Sequence, residues 1–170
     1  QLPDFVKAIA FRAPPGPLKT LLMSQKCVGG YIAGASEAPV DGLLRIAETA
    51  GIPTSLPYFN ARNAKMQFAK WRAGDPLENG PWRVDQPKGR GEQLVPSLLL
   101  CPLLGFDRQG GRIGQGGGHY DLFMADNPDS FRIGIAWSVQ EVDLVPREPH
   151  DLSLDAVLTE QEWIVTGDRL

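Results

Sequence analysis

The segment that most limits how this chain can fold runs from an unbroken apolar stretch, VPSLLLCPLL (95–104), straight into a glycine cluster. Seven of the fourteen residues from 105 to 118 are glycine, and a helical pattern beginning near His119 follows at once. A continuous apolar run suits a central strand covered on both faces. A strand, a glycine-rich turn and a helix in that order form half of a βαβ unit. The same order describes an anion-binding corner. Glycines let backbone N–H groups approach an anion, and a helix N-terminus adds free N–H groups and the positive end of its dipole.

The rest of the chain repeats the alternation. Residues 17–26 read as the end of an N-terminal helix, and CVGGYIA (27–33) as a buried strand. Residues 39–50 place Val40, Leu43, Leu44 and Ala47 on one helical face, with Pro39 in the first turn and Gly51 as the stop. TSLPYF is a short strand and MQFAKW (66–71) a half-exposed one. Residues 72–93 read mostly as loop. FRIGIAW (131–137) and AVLTE (156–160) are further buried strands, and WIVTG closes the chain. The expectation is one α/β domain over residues 1–170. It is a three-layer Rossmann-like fold, with a mostly parallel sheet flanked by helices. Ligands of such sheets sit beyond the carboxyl ends of the strands, so the loops after residues 33, 104 and 137 share one functional edge.

Composition excludes several classes. A chain of 170 residues carries one domain with a full core. The two histidines, His119 and His150, rule out a three-histidine metal centre. A net charge of -3 argues against general nucleic-acid affinity. No stretch reaches the ~20 apolar residues of a membrane span. Cys27 and Cys101 stand inside apolar runs and read as buried free thiols of a reducing cytoplasm. Basic side chains gather in residues 1–26 and 62–91 and acidic ones in 141–170. This charge pattern fits either an anionic ligand or ordinary solvated surface.

Within the glycine segment, Arg112 supplies a charged fork for phosphate oxygens. Asp121 falls in the first turn of the following helix, where a carboxylate either holds Mg²⁺ beside a phosphate or answers the helix dipole. A Walker loop needs Lys followed by Ser or Thr, and no Lys occurs after Lys88. A dinucleotide fingerprint from Gly114 would need glycine where His119 stands.

The run PLLGFDRQGGRIGQGGGHYD, with GYIAGASEAPVDGLL, LPYF, MQFAKW and GIAWSVQEVDLVPREPHDLSLDAVLTE, resembles the 5-formyltetrahydrofolate cyclo-ligase (methenyltetrahydrofolate synthetase) family over roughly residues 27–160. The resemblance implies an ATP- and Mg²⁺-dependent ligase that converts 5-formyltetrahydrofolate into 5,10-methenyltetrahydrofolate, acting as a cytoplasmic monomer without nucleic-acid or membrane partners. It implies that Arg112, Ile113, Gly114, Gln115, Gly116, Gly117, Gly118, His119 and Tyr120 line ATP, with Arg112 and Tyr120 catalytic. It implies that Ile32, Glu37, Trp71, Gln115, Gly116, Gly117, Gly118 and His119 contact the folate, with Phe68 and Trp82 as further ring walls. Asp121 and Asp151 would be the Mg²⁺ ligands. His119 departs from the tyrosine frequent in relatives, Leu122 and Ala69 stand where arginine is frequent, and the chain opens inside or after the basic N-terminal helix that relatives use on the triphosphate. Lys7 and Arg12 would be partial substitutes, and the expectation is either a segment preceding Gln1 or weak ATP binding. The alternatives are a non-catalytic folate- or nucleotide-binding relative and an unrelated nucleotide-dependent α/β enzyme.

Overall fold

The computed structural model describes residues 2–170. Two short helices, α1 (Asp4–Ile9) and α2 (Gly16–Met23), precede β1 (Val28–Gly29), α3 (Asp41–Thr49), β2 (Thr54–Tyr58) and β3 (Gln67–Lys70). A hairpin of β4 (Leu77–Asn79) and β5 (Asp85–Pro87) follows, then β6 (Leu98–Cys101). A second hairpin, β7 (Gly105–Phe106) and β8 (Arg112–Ile113), leads into α4 (His119–Asp126). The chain ends with β9 (Phe131–Ile135), β10 (Ala156–Leu158) and β11 (Trp163–Val165).

Seven strands form the main sheet in the order β11-β10-β9-β6-β1-β2-β3. The five inner strands are parallel, and both edge strands pair antiparallel. The chain winds one way from β1 to β2 and the other way from β6 through β9 to β10, so the order reverses between β1 and β6. That reversal opens a crevice at the carboxyl ends of those two strands.

The apolar run at 98–101 shows why three layers form. Strand side chains alternate between faces. Leu98 and Leu100 pack with Leu18, Leu22, Leu43 and Leu44 beneath α2 and α3, whereas Leu99 and Cys101 pack with Phe123 and Met124 of α4 on the other side. All four strand residues are fully buried. The expected α/β layering is therefore present.

Three local readings change. The β1 ladder covers two residues of the seven in CVGGYIA, and the N-terminal helical stretch is two separate helices. Residues 72–93 contain the β4–β5 hairpin, closed by residues 80–84 with Gly80 N–H donating to Val84 C=O at 2.8 Å. Gln86, buried under that hairpin, accepts Phe59 N–H at 3.0 Å through Oε1, tying it to the end of β2.

Cys27 and Cys101 are free and buried. Burial pushes the Cys101 thiol up to about 12, despite the opposing charges of Arg112 and Arg132. Neither thiol of the native protein is expected to react with a thiol-specific chromogenic disulfide at mildly alkaline pH, while both react in concentrated guanidinium. Rapid labelling of the folded chain would contradict the packing around β6.

Candidate active site

Asp107 organises the loop that follows β6. It is fully buried, and its Oδ1 accepts the backbone N–H groups of Gln109 (2.9 Å) and Gly111 (2.8 Å). Its Oδ2 accepts Val145 N–H at 2.8 Å, joining the β7–β8 hairpin to the loop after β9. Burial alone would raise this carboxyl's pKa, but the three N–H groups and the charge of Arg147 outweigh it and hold the group below its usual value. Gly111 is required by contact: a Cβ there would lie 2.5 Å from Asp107 Oδ2 and 2.7 Å from Val145 Cβ.

The second half of the glycine segment differs. A Cβ at Gly116 or Gly118 would meet nothing within 4 Å, and both residues adopt positive φ, +92° and +66°. Gly118 caps α4 and has no side chain to occupy the helix end. Gly116 and Gly118 thus face open space beside the start of α4, where backbone N–H groups suit an anion, while Gly114 and Gly117 lie against the Arg112 and His119 side chains.

Arg112 points under this loop. One guanidinium nitrogen donates to Pro102 C=O at 2.9 Å, another to Asp121 Oδ1 at 3.0 Å, and the guanidinium lies 5.5 Å from the centre of the Tyr120 ring. Its Nε is buried without a partner. A buried unpaired donor is costly and is the kind of group that a bound anion satisfies. Tyr120 is pushed well above the usual phenol pKa by burial, so it is a hydroxyl donor and not a base.

The loop after β1 approaches the same place. Glu37 accepts Gly34 N–H at 2.7 Å through Oε2 and the Gln115 side-chain amide at 2.7 Å through Oε1. This bond spans the crevice between the β1 and β6 loops. Ile32 stands exposed on the β1 loop. His119 packs against Phe59 (ring centres 4.7 Å) and Trp82 (4.9 Å), and those two rings are 4.9 Å apart. The β4–β5 hairpin carries Trp82 to this cluster on left-handed backbone at Trp82 and Arg83, φ 57° and 60°.

Direct contacts thus pair Glu37 with Gln115 and Arg112 with Asp121 and Tyr120, while His119 packs with Phe59 and Trp82; the glycine segment and the start of α4 carry one or more members of each set. The structure separates others. Trp71 donates its backbone N–H to Thr54, at the amino end of β2, and its indole N–H to Asp75 C=O. That is the end of the parallel strands opposite the crevice, so Trp71 does not join the folate-side residues. Phe68 is a core side chain packed at a tilt against Phe123, ring centres 4.8 Å apart, and is not an exposed wall. Asp151 accepts Glu148 N–H at 2.7 Å and faces His150, sharing no partner with Asp121. Among the described residues, no group of three or more His, Cys, Asp or Glu side chains is placed to hold a metal. Mg²⁺ usually takes one or two carboxylates and completes its shell with water and phosphate, so a single Asp121 with Oδ2 unbonded still fits such an ion. Phe59 and Gln86 escape a reading by motif, because residues 72–93 read as loop and Phe59 is only the residue after β2. A larger recess of about 310 Å³ lies between residues 11–15 and the β10–β11 turn and shares no residue with this site. No helix is long and apolar enough to cross a membrane.

Comparison with known proteins points one way. Residues 19–160 match the model of the 5-formyltetrahydrofolate cyclo-ligase family. The 5-formyltetrahydrofolate cyclo-ligase of Mycolicibacterium smegmatis is 28% identical over 96% of this chain and 89% of its own length. That of Escherichia coli K12 is 29% identical over 73% of this chain and 71% of its own. The NMR structure of Aquifex aeolicus 5,10-methenyltetrahydrofolate synthetase superposes with a TM-score of 0.70, at 20% identity over 97% of this chain and 91% of that one. The Mycoplasma pneumoniae synthetase gives 0.66, at 19% identity over 98% and 90%. These two likenesses establish a shared fold.

Replacing Asp107 with Ala leaves three N–H groups, two of them buried, without their acceptor and is expected to cost about 3 kcal/mol in urea unfolding. The native carboxyl has the lower pKa. Its contribution is therefore complete above the unfolded value of about 4 and is lost as pH falls through the native value. The stability gap between the parent and Asp107→Asn should narrow in acid. A gap that widens there would contradict the assignment.

Proposed function

The chain belongs to the 5-formyltetrahydrofolate cyclo-ligase family, and from that membership we propose that it converts 5-formyltetrahydrofolate into 5,10-methenyltetrahydrofolate, consuming ATP with Mg²⁺ as cofactor. The observation that supports this most is the 2.7 Å bond from Gln115 to Glu37. It links a carboxylate suited to pterin N–H donors with a loop suited to phosphates, so the two substrates would meet across one crevice.

The chemistry follows from what the groups can do. An amide-like formyl oxygen is a weak nucleophile and must be aligned with the γ-phosphoryl group. The oxygen takes that group, ADP leaves, N10 closes on the activated carbon with loss of its proton, and phosphate departs. Phosphoryl transfer needs positioning and positive charge more than a side-chain nucleophile. The backbone N–H groups of residues 114–118 and of the first turn of α4 hold the phosphate oxygens. Arg112, anchored by Pro102 and Asp121, brings fixed positive charge and its unpaired Nε to that place. Tyr120 donates its hydroxyl proton as a hydrogen bond. Glu37 orients the pterin, and the Phe59, Trp82 and His119 rings border it. Asp121 would hold Mg²⁺ as its one protein carboxylate, Asp151 being engaged with Glu148 N–H on its own loop. Bound there, Mg²⁺ neutralises charge on the phosphate oxygens.

Incubation of the protein with 5-formyltetrahydrofolate, ATP and Mg²⁺ should generate the near-ultraviolet absorbance of methenyl folate. Asp121→Ala and Arg112→Ala should each lower kcat/KM about a hundredfold or more, with the circular dichroism of the fold retained. Glu37→Gln should chiefly raise the folate KM. Full activity in Asp121→Ala would remove that residue from the metal role, and no product from the parent protein would reject the activity.

A further inference from the structure

Between the β2–β3 connection and the outer face of α4 lies a recess of about 200 Å³. Arg62, Lys65 and Met66 form one side, and Gly117, His119 and Phe123 the other. Its volume equals the share of about seven water molecules in liquid, enough for a group of amino-acid size. The floor is apolar, because Met66 and Phe123 belong to the core beneath it. The rim is charged. Lys65 Nζ pairs with Asp126 Oδ2 at 2.7 Å, which cancels one charge of each sign. Among the described residues Arg62 makes no ion pair, and the lining holds no other ionisable group except His119. The recess therefore carries one unspent positive charge over an apolar floor.

Its position matters as much as its charge. The glycine loop reaches it from the crevice: Gln115 holds Glu37 at one end, and Gly117 and His119 line the recess at the other. Two to four residues of chain span at most about 7–14 Å, the scale of a benzoyl amide spacer. The His119 ring, which lines the recess, packs against Phe59 and Trp82. We propose that this recess receives the glutamate end of the folate substrate, with Arg62 binding a carboxylate and the aromatic rings bordering the p-aminobenzoyl group. The assignment rests on the folate reading of the crevice and extends it to the other end of the same molecule.

The test compares 5-formyltetrahydrofolate with 5-formyltetrahydropteroate, which lacks the glutamate. In the parent protein kcat/KM should be higher for the glutamate-bearing compound. In Arg62→Gln the ratio of the two values should fall about fivefold, carried by KM. In Asp126→Asn, which frees Lys65 and removes the acid from the rim, the ratio should rise. Arg45→Gln, an exposed arginine on α3, should leave the ratio unchanged. If the parent turns over both compounds and Arg62→Gln does not alter the ratio, the recess assignment is overturned while the folate activity stands. If the parent forms product from neither, the folate reading fails and the assignment falls with it.

Discussion

A single buried carboxylate holds the base of the glycine segment. Asp107 takes N–H bonds from both sides of a tight turn and from the distant loop after β9, so three pieces of backbone converge on one side chain. The hairpin it stabilises leaves β6 and delivers Arg112 beneath α4. Without that anchor, residues 105–118 would be a long glycine-rich loop with high conformational entropy. With it, the disorder cost is met in the first half, and the second half is presented as open backbone on a rigid mount. The low pKa of the carboxyl is the electrostatic counterpart of the same arrangement, because the donors that fix the turn also favour the charged form.

The site therefore has unequal halves with different tolerances. At Gly111 the neighbours are the Asp107 carboxylate and the Val145 side chain, and any side chain collides. At Gly116 and Gly118 space is open and the demand is conformational. Arg112 lies between them, fixed by a carbonyl and a carboxylate with one buried donor unused. Pairing with Asp121 keeps the guanidinium in place in the absence of an anion, and leaves one oxygen of that carboxylate outward. The glutamine–glutamate bond to the β1 loop couples this mount to the other wall of the crevice.

Much of this was legible in residue order. The apolar run at 98–101, its alternation between two faces and the helices around it follow from hydrophobic pattern alone, and so does the parallel character of the inner sheet. The chemistry at Arg112, Asp121 and Glu37 was readable as residue types at a strand–helix corner, and the structure brings those side chains within bonding reach of one another or of Gln115. Other features needed three dimensions. Trp71 resembles a ring wall in sequence, yet antiparallel pairing of β3 with β2 carries it to the wrong end of the sheet. Phe68 is absorbed into the core because it alternates inward. Phe59 and Gln86 have no motif, and their importance comes from a hairpin that folds back on the end of β2. Asp107 carries a charge in sequence and gives no sign there of being buried.

The central claim is that the glycine segment is divided into an anchored base and an open, anion-receiving arm. Amide hydrogen exchange resolved at single residues tests it most directly. In the ligand-free protein the Gly110 and Gly111 amides, bonded to Asp107, should exchange slowly, and those of Gly116, Gly117 and Gly118 quickly. Addition of ATP with Mg²⁺ should protect the second group and leave the first as it was. Uniform exchange along residues 110–118, or protection gained only at Gly110 and Gly111, would contradict it.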